Sequence, residues 1–295
     1  MLPGFQSIPQ MLDAEGKRVF FQAINELNQP SWFDPVVGLE QIALLEIFSE
    51  AERGRIMASD RPTKRLALEW VGKRAACWAN AWSGKQELNF QDYEIWYDQA
   101  GAPGLRFSRG NCTASEFGEI AISMSTNGSI SLGVSAVVAP LLPEHFRSSE
   151  SQILGIGVDV VAFKHLEGVP EGIWQTVLRH TFTPLEIEQS SAGKDRAEVV
   201  KLLSAVFAGK EAVFKSLSRM LYQEWSAGSH PGETAIDFRR IEIPNAAAGQ
   251  SLARLPDSLR QVMQHYGENQ ISLWFFFESE FVVALALCCR DNPIL

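Results

Sequence analysis

The chain reads as an α+β protein of two similar halves, each a small antiparallel sheet packed against a long helix. Three observations predict this. Runs with apolar residues at helical spacing alternate with short strand-like runs, βαβ patterns are few, and the order of the runs recurs once along the chain. A length of 295 residues suits about two domains. A hydrophobic fraction of 46% beside 21% charged residues is ordinary for a chain that builds a full core. The net charge of −9, from 26 basic and 35 acidic side chains, argues against a duplex-DNA binder, whose phosphate contacts favour a basic face.

Taken in order, the N-terminus MLPGFQSIPQMLDAEGKR has no basic region followed by an apolar core, so no signal peptide is expected. RLALEWVGKRAACWANAW (65–82) sets Leu66, Trp70, Ala75, Cys77, Trp78 and Ala81 at helical spacing. Trp70, Trp78 and Trp82 read as core rather than as a stacking platform. YEIWY (93–97) is strand-like, and AISMS (121–125) and SLGVSAVV (131–138) close the half as apolar strands. The connector APLLPEHFRSSESQ (139–152) carries two prolines and three serines and reads as a linker. It separates an N-terminal subdomain at 1–145 from a C-terminal one at 152–295.

The second half repeats the order. LGIGVDVV (154–161) is a strand, and AEVVKLLSAVFAGKEAVFKSLSRML (197–221) is a helix with an apolar stripe. FRRIEI (238–243) answers YEIWY, and ISLWFFF (271–277) with FVVALAL (281–287) answer the earlier strands. Glu52 in FSEAE (48–52) has a counterpart in Glu186 of FTPLE (182–186). The longest apolar stretches are 130–142, too short to span a bilayer, and 271–289, interrupted by Glu278 and Glu280, so no membrane partner is expected. Cys77, Cys112, Cys288 and Cys289 form no CxxC pair, and neither a disulfide framework nor a zinc site is readable, which fits a reducing cytoplasm.

Chemistry concentrates in the second half. Asp159 interrupts an otherwise apolar strand, and a carboxylate there is expensive to bury unless paired or bound to a cation. Lys210, Glu211 and Lys215 interrupt an apolar helix, and Glu211 and Lys215, four apart, share a helical face. Spacing alone fits an intrahelical Glu–Lys pair beside a core helix equally well. His165, His180, His230 and His265 have no metal-ligand spacing and receive no role.

GVDVV (157–161), FTPLE and FAGKEAVFKSL (207–217), in this order, resemble the signature of the 4′-phosphopantetheinyl transferase superfamily. In that family a Gly-x-Asp strand and an aromatic-x-x-Lys-Glu-Ala helix, with a further lysine four residues after the glutamate, form the active centre. The corresponding residues are Asp159, Phe207, Lys210, Glu211, Ala212 and Lys215. Two similar halves on one chain resemble the surfactin-synthetase-activating type, a pseudo-dimer that acts as a monomer. Matching VGKRAACWANA (71–81) to the second helix by residue type sets Trp78 and Ala79 opposite Lys210 and Glu211, so the first half is expected to be a degenerate copy without a metal. Gly101 and Pro103 resemble that type's Gly-x-Pro turn, and Ser125 lies in its Ser-x-Ser strand. Thr126 replaces that strand's histidine, Val161 and Ala162 stand where a second acid is usual, and Val206 stands where an arginine is common.

The resemblance implies transfer of 4′-phosphopantetheine from coenzyme A to a serine of an apo acyl or peptidyl carrier protein. Asp159 and Glu211 would hold Mg²⁺, which accepts oxygen ligands and keeps several waters. Asp159, Glu211 and Lys215 form the expected catalytic set, with Lys215, and Lys210 if it is not simply solvated, near the phosphates. Residues 51–74 carry seven basic side chains against three acids, and Arg53 and Arg74 are the chosen contacts for the coenzyme's 3′-phosphate. Arg53, Arg74, Gly101, Pro103, Ser125, Lys210 and Lys215 thus make the expected cofactor-binding set. The replaced histidine and acid motivate one rival, a non-catalytic homologue that binds carrier protein or coenzyme A.

Overall fold

The computed structural model describes residues 19–25, 47–82, 90–98, 101–107, 119–127, 130–138, 152–226, 237–266 and 269–290. The chain divides into two compact units, Met1–Pro140 and Leu141–Leu295. Apart from Gln152, the linker expected at 139–152 lies outside the described residues.

The first unit contains β1 (Val19–Asn25), α1 (Glu50–Ala58), α2 (Pro62–Trp82), β2 (Tyr93–Tyr97), β3 (Pro103–Phe107), β4 (Glu119–Thr126) and β5 (Ile130–Val138). An antiparallel sheet runs β1-β5-β4, and β2 and β3 form a separate hairpin. Helix α1 starts at a capping box in which the Ser49 hydroxyl accepts from the Glu52 N–H and the Glu52 carboxylate accepts from the Ser49 N–H. Helix α2 lies against the sheet with Val71 and Ala75 fully buried. A Cβ on Gly133 of β5 would sit 2.4 Å from the Val71 carbonyl oxygen, so helix and strand touch backbone to backbone.

The second unit contains β6 (Gln152–Ala162), α3 (Lys164–Glu167), α4 (Glu171–Thr181), α5 (Pro184–Ser191), α6 (Arg196–Ser226), β7 (Gln250–Leu252), α7 (Asp257–His265), β8 (Asn269–Phe277) and β9 (Phe281–Arg290). Its antiparallel sheet runs β6-β9-β8-β7. Helix α6, expected over 197–221, buries Val200, Leu203, Val206, Val213 and Leu217, and packs on β6 and β9. Each such side chain contributes about 1.5–3 kcal/mol. FRRIEI departs from the strand expected of it. Phe238–Arg240 is a 3-10 turn, and a single bridge joins Glu242 to Arg254. Pro244 has no N–H to carry a ladder further.

One set of bonds occurs in both units. Ser49 and Thr183 cap α1 and α5, and their N–H groups donate to Glu52 and Glu186, each at 2.7 Å. The second oxygen of each glutamate accepts from a distant backbone, Ile95 N–H or Ile243 N–H, each at 2.8 Å. Each carboxylate also pairs with a buried lysine of the long helix, Glu52 with Lys73 at 2.7 Å and Glu186 with Lys210 at 2.8 Å. Glu94–Arg106 and Glu242–Arg254 complete the series at 2.9 and 2.8 Å. This sets Lys73, not Trp78, opposite Lys210, and therefore Arg74 opposite Glu211. Alanine-rich helices match by residue type in several frames, whereas a buried ion pair matches in one.

Candidate active site

Strand β6 and helix α6 build the site. Gly155 and Gly157 let them approach: a Cβ on either would lie 2.0 Å from the Ser216 carbonyl oxygen or 1.9 Å from that of Ala212. Asp159, two residues beyond Gly157, is buried at 8% exposure. The Lys215 ammonium donates to its Oδ1 at 2.8 Å and to the Val158 carbonyl at 3.1 Å. Lys215 is thus turned to the strand, which decides against a simple intrahelical pair with Glu211. Glu211, one turn earlier, is half-buried. Burial, and then the Asp159 charge, push its carboxyl above the usual carboxylate range, while Lys215 pulls it partly back.

Asp159 and Glu211 open onto one pocket, whose wall continues through His165 and Leu166 of α3, Thr181 of α4 and Phe207 of α6. Among the described residues no group of three or more His, Cys, Asp or Glu side chains is arranged to hold a metal. The carboxylate pair still fits a hard divalent cation that completes its shell with phosphate and water oxygens. Both donors are oxygens, and such a cation relieves the Asp159 repulsion that adds to burial in raising Glu211.

Lys210 corrects its expected place beside a phosphate. The residue is 0% exposed, and its ammonium donates to Glu186 at 2.8 Å and to the Thr181 carbonyl at 3.1 Å. Apart from Lys210 and Lys215, the residues expected around the coenzyme belong to the first unit. Arg53 donates to the Phe48 carbonyl, and the half-buried Arg74 lies over the Trp70 and Phe90 rings at 5.7 and 6.0 Å. Gly101, at φ +83°, a backbone angle that favours glycine, lies between β2 and β3 with its N–H bonded to the Asp98 carbonyl. Pro103 opens β3 opposite Tyr97, and Ser125 is buried in β4 opposite Leu132. The side chains of Trp78 and Trp82 lie outside the described residues.

Sequence reading missed His165 and Thr181. Both sit on helices separate from β6 and α6, so no periodicity links them to the carboxylates. The strand register also supplies the first unit's counterpart of Asp159. Hairpins β4–β5 and β8–β9 end at Thr126–Ser131 and Phe277–Val282. Counted from these ends, Gly133 corresponds to Ala284, and their partners on the neighbouring strand are Gln22 and Asp159. By strand register and ion pair, Gln22 and Arg74 of the first unit stand at the places that Asp159 and Glu211 hold in the second.

Residues 155–286 match the family model described as the 4′-phosphopantetheinyl transferase superfamily. A holo-[acyl-carrier-protein] synthase of Desulforudis audaxviator is 30% identical over 135 residues, 46% of this chain and 92% of that protein. A synthase of the same name from Photorhabdus laumondii is 25% identical over 138 residues, 47% of this chain and 98% of that protein. Among solved structures, a holo-[acyl-carrier-protein] synthase of Neisseria meningitidis is 26% identical, covers 46% of this chain and 98% of its own, and has a TM-score of 0.34.

Proposed function

The chain belongs to the 4′-phosphopantetheinyl transferase superfamily, and we propose that it transfers 4′-phosphopantetheine from coenzyme A to a serine hydroxyl of an apo acyl or peptidyl carrier protein. The serine oxygen bonds to the phosphorus that carries the pantetheine arm, the pyrophosphate bridge breaks, and adenosine 3′,5′-bisphosphate leaves. The nucleophile belongs to the substrate, so the protein must position, neutralise charge and accept one proton.

In this reading Glu211 accepts the serine proton. Burial, the larger cause of its raised carboxyl, makes it a better base. Lys215, held by Asp159 and the Val158 carbonyl, sets a positive charge one turn from Glu211 to offset charge on the phosphates. Mg²⁺ held by Asp159 and Glu211 would neutralise the pyrophosphate. Phe207 supplies an apolar wall. The two units are read as copies of one ancestral half, forming a pseudo-dimer, with Arg53, Arg74, Gly101, Pro103 and Ser125 of the first holding coenzyme A. Arg74 at the position of Glu211 exchanges a cation's ligand for an anion's.

The observation that carries the proposal is the pairing of Asp159 and Glu211 on one pocket with Lys215 bonded to Asp159. The test incubates the chain with a fluorescent coenzyme A analogue, Mg²⁺ and a panel of apo carriers. Covalent carrier labelling that EDTA abolishes and Glu211→Gln reduces by orders of magnitude is expected. Absence of labelling across the panel refutes the proposal.

A further inference from the structure

We propose that Lys210 and Glu186 are positioning residues for the carboxylate site, acting as a buried clamp that ties two walls of its pocket together; this rests on the transferase reading. Lys210 and Glu211 are consecutive on α6 but point differently, since each residue turns a helix by about 100°. Glu211 faces the pocket, while Lys210 turns into the core at 0% exposure. There its ammonium holds the carbonyl of Thr181, the last residue of α4, at 3.1 Å. Thr181 and Glu211 line the same pocket, so one buried cation joins the wall on α4 to the wall on α6.

Glu186 completes the clamp. One carboxylate accepts from the Thr183 N–H at 2.7 Å, the Ile243 N–H at 2.8 Å and the Lys210 ammonium at 2.8 Å. It thereby joins the start of α5, the segment after the 3-10 turn and helix α6. Away from water such charge-assisted bonds are short, directional and strict about geometry. A helix held this way does not roll, and a roll is the motion that would carry Glu211 away from Asp159.

The first unit contains an internal control. Glu52 and Lys73 form the same pair at 2.7 Å, and Lys73 also donates to the Ile47, Phe90 and Tyr93 carbonyls at 2.7, 2.8 and 3.0 Å. The residue after Lys73 is Arg74, not an acid. Removing that pair disturbs folding without touching a carboxylate site, which separates stability from positioning.

Removing one member alone leaves a buried unpaired charge and endangers folding, so both members are neutralised together as E186Q/K210M, with E52Q/K73M as control. Mn²⁺ is the probe, read as loss of its free-ion electron paramagnetic resonance signal on titration of the whole chain, with E211Q as background. Circular dichroism checks folding, and carrier labelling gives kcat and KM. Both double variants are expected to fold with comparable losses in Tm. E186Q/K210M should bind Mn²⁺ about 10–100-fold more weakly and lose kcat/KM by a similar factor, the scale of an outer partner that orients a ligand. E52Q/K73M should stay within about twofold of wild type in Mn²⁺ affinity. A folded E186Q/K210M with wild-type Mn²⁺ affinity overturns the proposal. So does an equal loss in E52Q/K73M, or failure of E186Q/K210M to fold, because the pair then acts through stability alone. A wild-type chain that neither labels carrier nor binds Mn²⁺ overturns the transferase reading and this inference with it.

Discussion

Gly157→Ala should damage stability and site together, because the closest approach of β6 to α6 occurs beside the carboxylates. The added Cβ would stand 1.9 Å from the Ala212 carbonyl oxygen and 2.7 Å from the Ser216 N. Both are backbone atoms, so no side-chain rotation makes room. Reaching ordinary contact, near 3.4 Å, requires strand and helix to separate locally by roughly 1.5 Å. Overpacking of this kind costs about 1–3 kcal/mol, occasionally more. For a chain of this size that lowers Tm by about 2–4 °C per kcal/mol, or roughly 2–12 °C in all. The same displacement moves Asp159, two residues along β6, away from Glu211, which adjoins Ala212. Misplacement by about 1 Å can reduce rate about a hundredfold. Thermal melts and carrier labelling of the folded variant measure the two effects. Gly155→Ala, with its Cβ 2.0 Å from the Ser216 carbonyl, is the comparison: a similar melt and a smaller loss of rate. A Gly157→Ala protein with Tm within about 1 °C of wild type and unchanged labelling would show that backbone contact does not set the carboxylate spacing.

Three further outcomes follow from the same geometry. Glu211 has a folded pKa raised above its ordinary 4.5, so the folded chain binds this proton more tightly than the unfolded one, and the ionised group opposes folding above that range. Glu211→Gln should therefore raise Tm at pH 7–8, the advantage vanishing below about pH 4, where both states are protonated; a lower Tm at neutral pH contradicts the assignment. Lys201 is exposed near the start of α6, its Nζ 6.0 Å from the Phe163 ring, and Lys201→Glu should raise the KM for carrier but not for coenzyme A. That increase should shrink as salt shortens the Debye length from about 10 Å at 0.1 M to about 3 Å at 1 M, and an unchanged carrier KM at low salt means that the carrier docks away from Lys201. Crystals soaked in Mn²⁺ should show one anomalous peak per chain, beside Asp159, since Gln22 and Arg74 hold the matching positions of the first unit; two equivalent peaks contradict that register.

Local residue patterns were enough to mark the long helices, most of the strands and the chemically unusual residues. Periodic apolar spacing is local, and it marked residues 65–82 and 197–221, which the structure extends to Pro62–Trp82 and Arg196–Ser226. Asp159 was legible because an acid in an apolar strand needs a compensating partner. Glu211 and Lys215 were legible because four residues make one helical turn. What each charge meets depends on the packing of distant segments. Lys210 resembles Lys215 in sequence, yet Lys210 is buried on Glu186 while Lys215 reaches Asp159, because their positions on the helix face different neighbours. FRRIEI has strand composition, but a strand needs a partner ladder, and the segment finds one bridge before Pro244. The frame relating the two helices emerged from two ion pairs whose members are 21 and 24 residues apart, as Glu52–Lys73 and Glu186–Lys210. His165 and Thr181 reach the pocket on separate helices. These are contacts between segments distant along the chain, set by how helices and sheet pack, and local patterns of residue type carry no record of that packing.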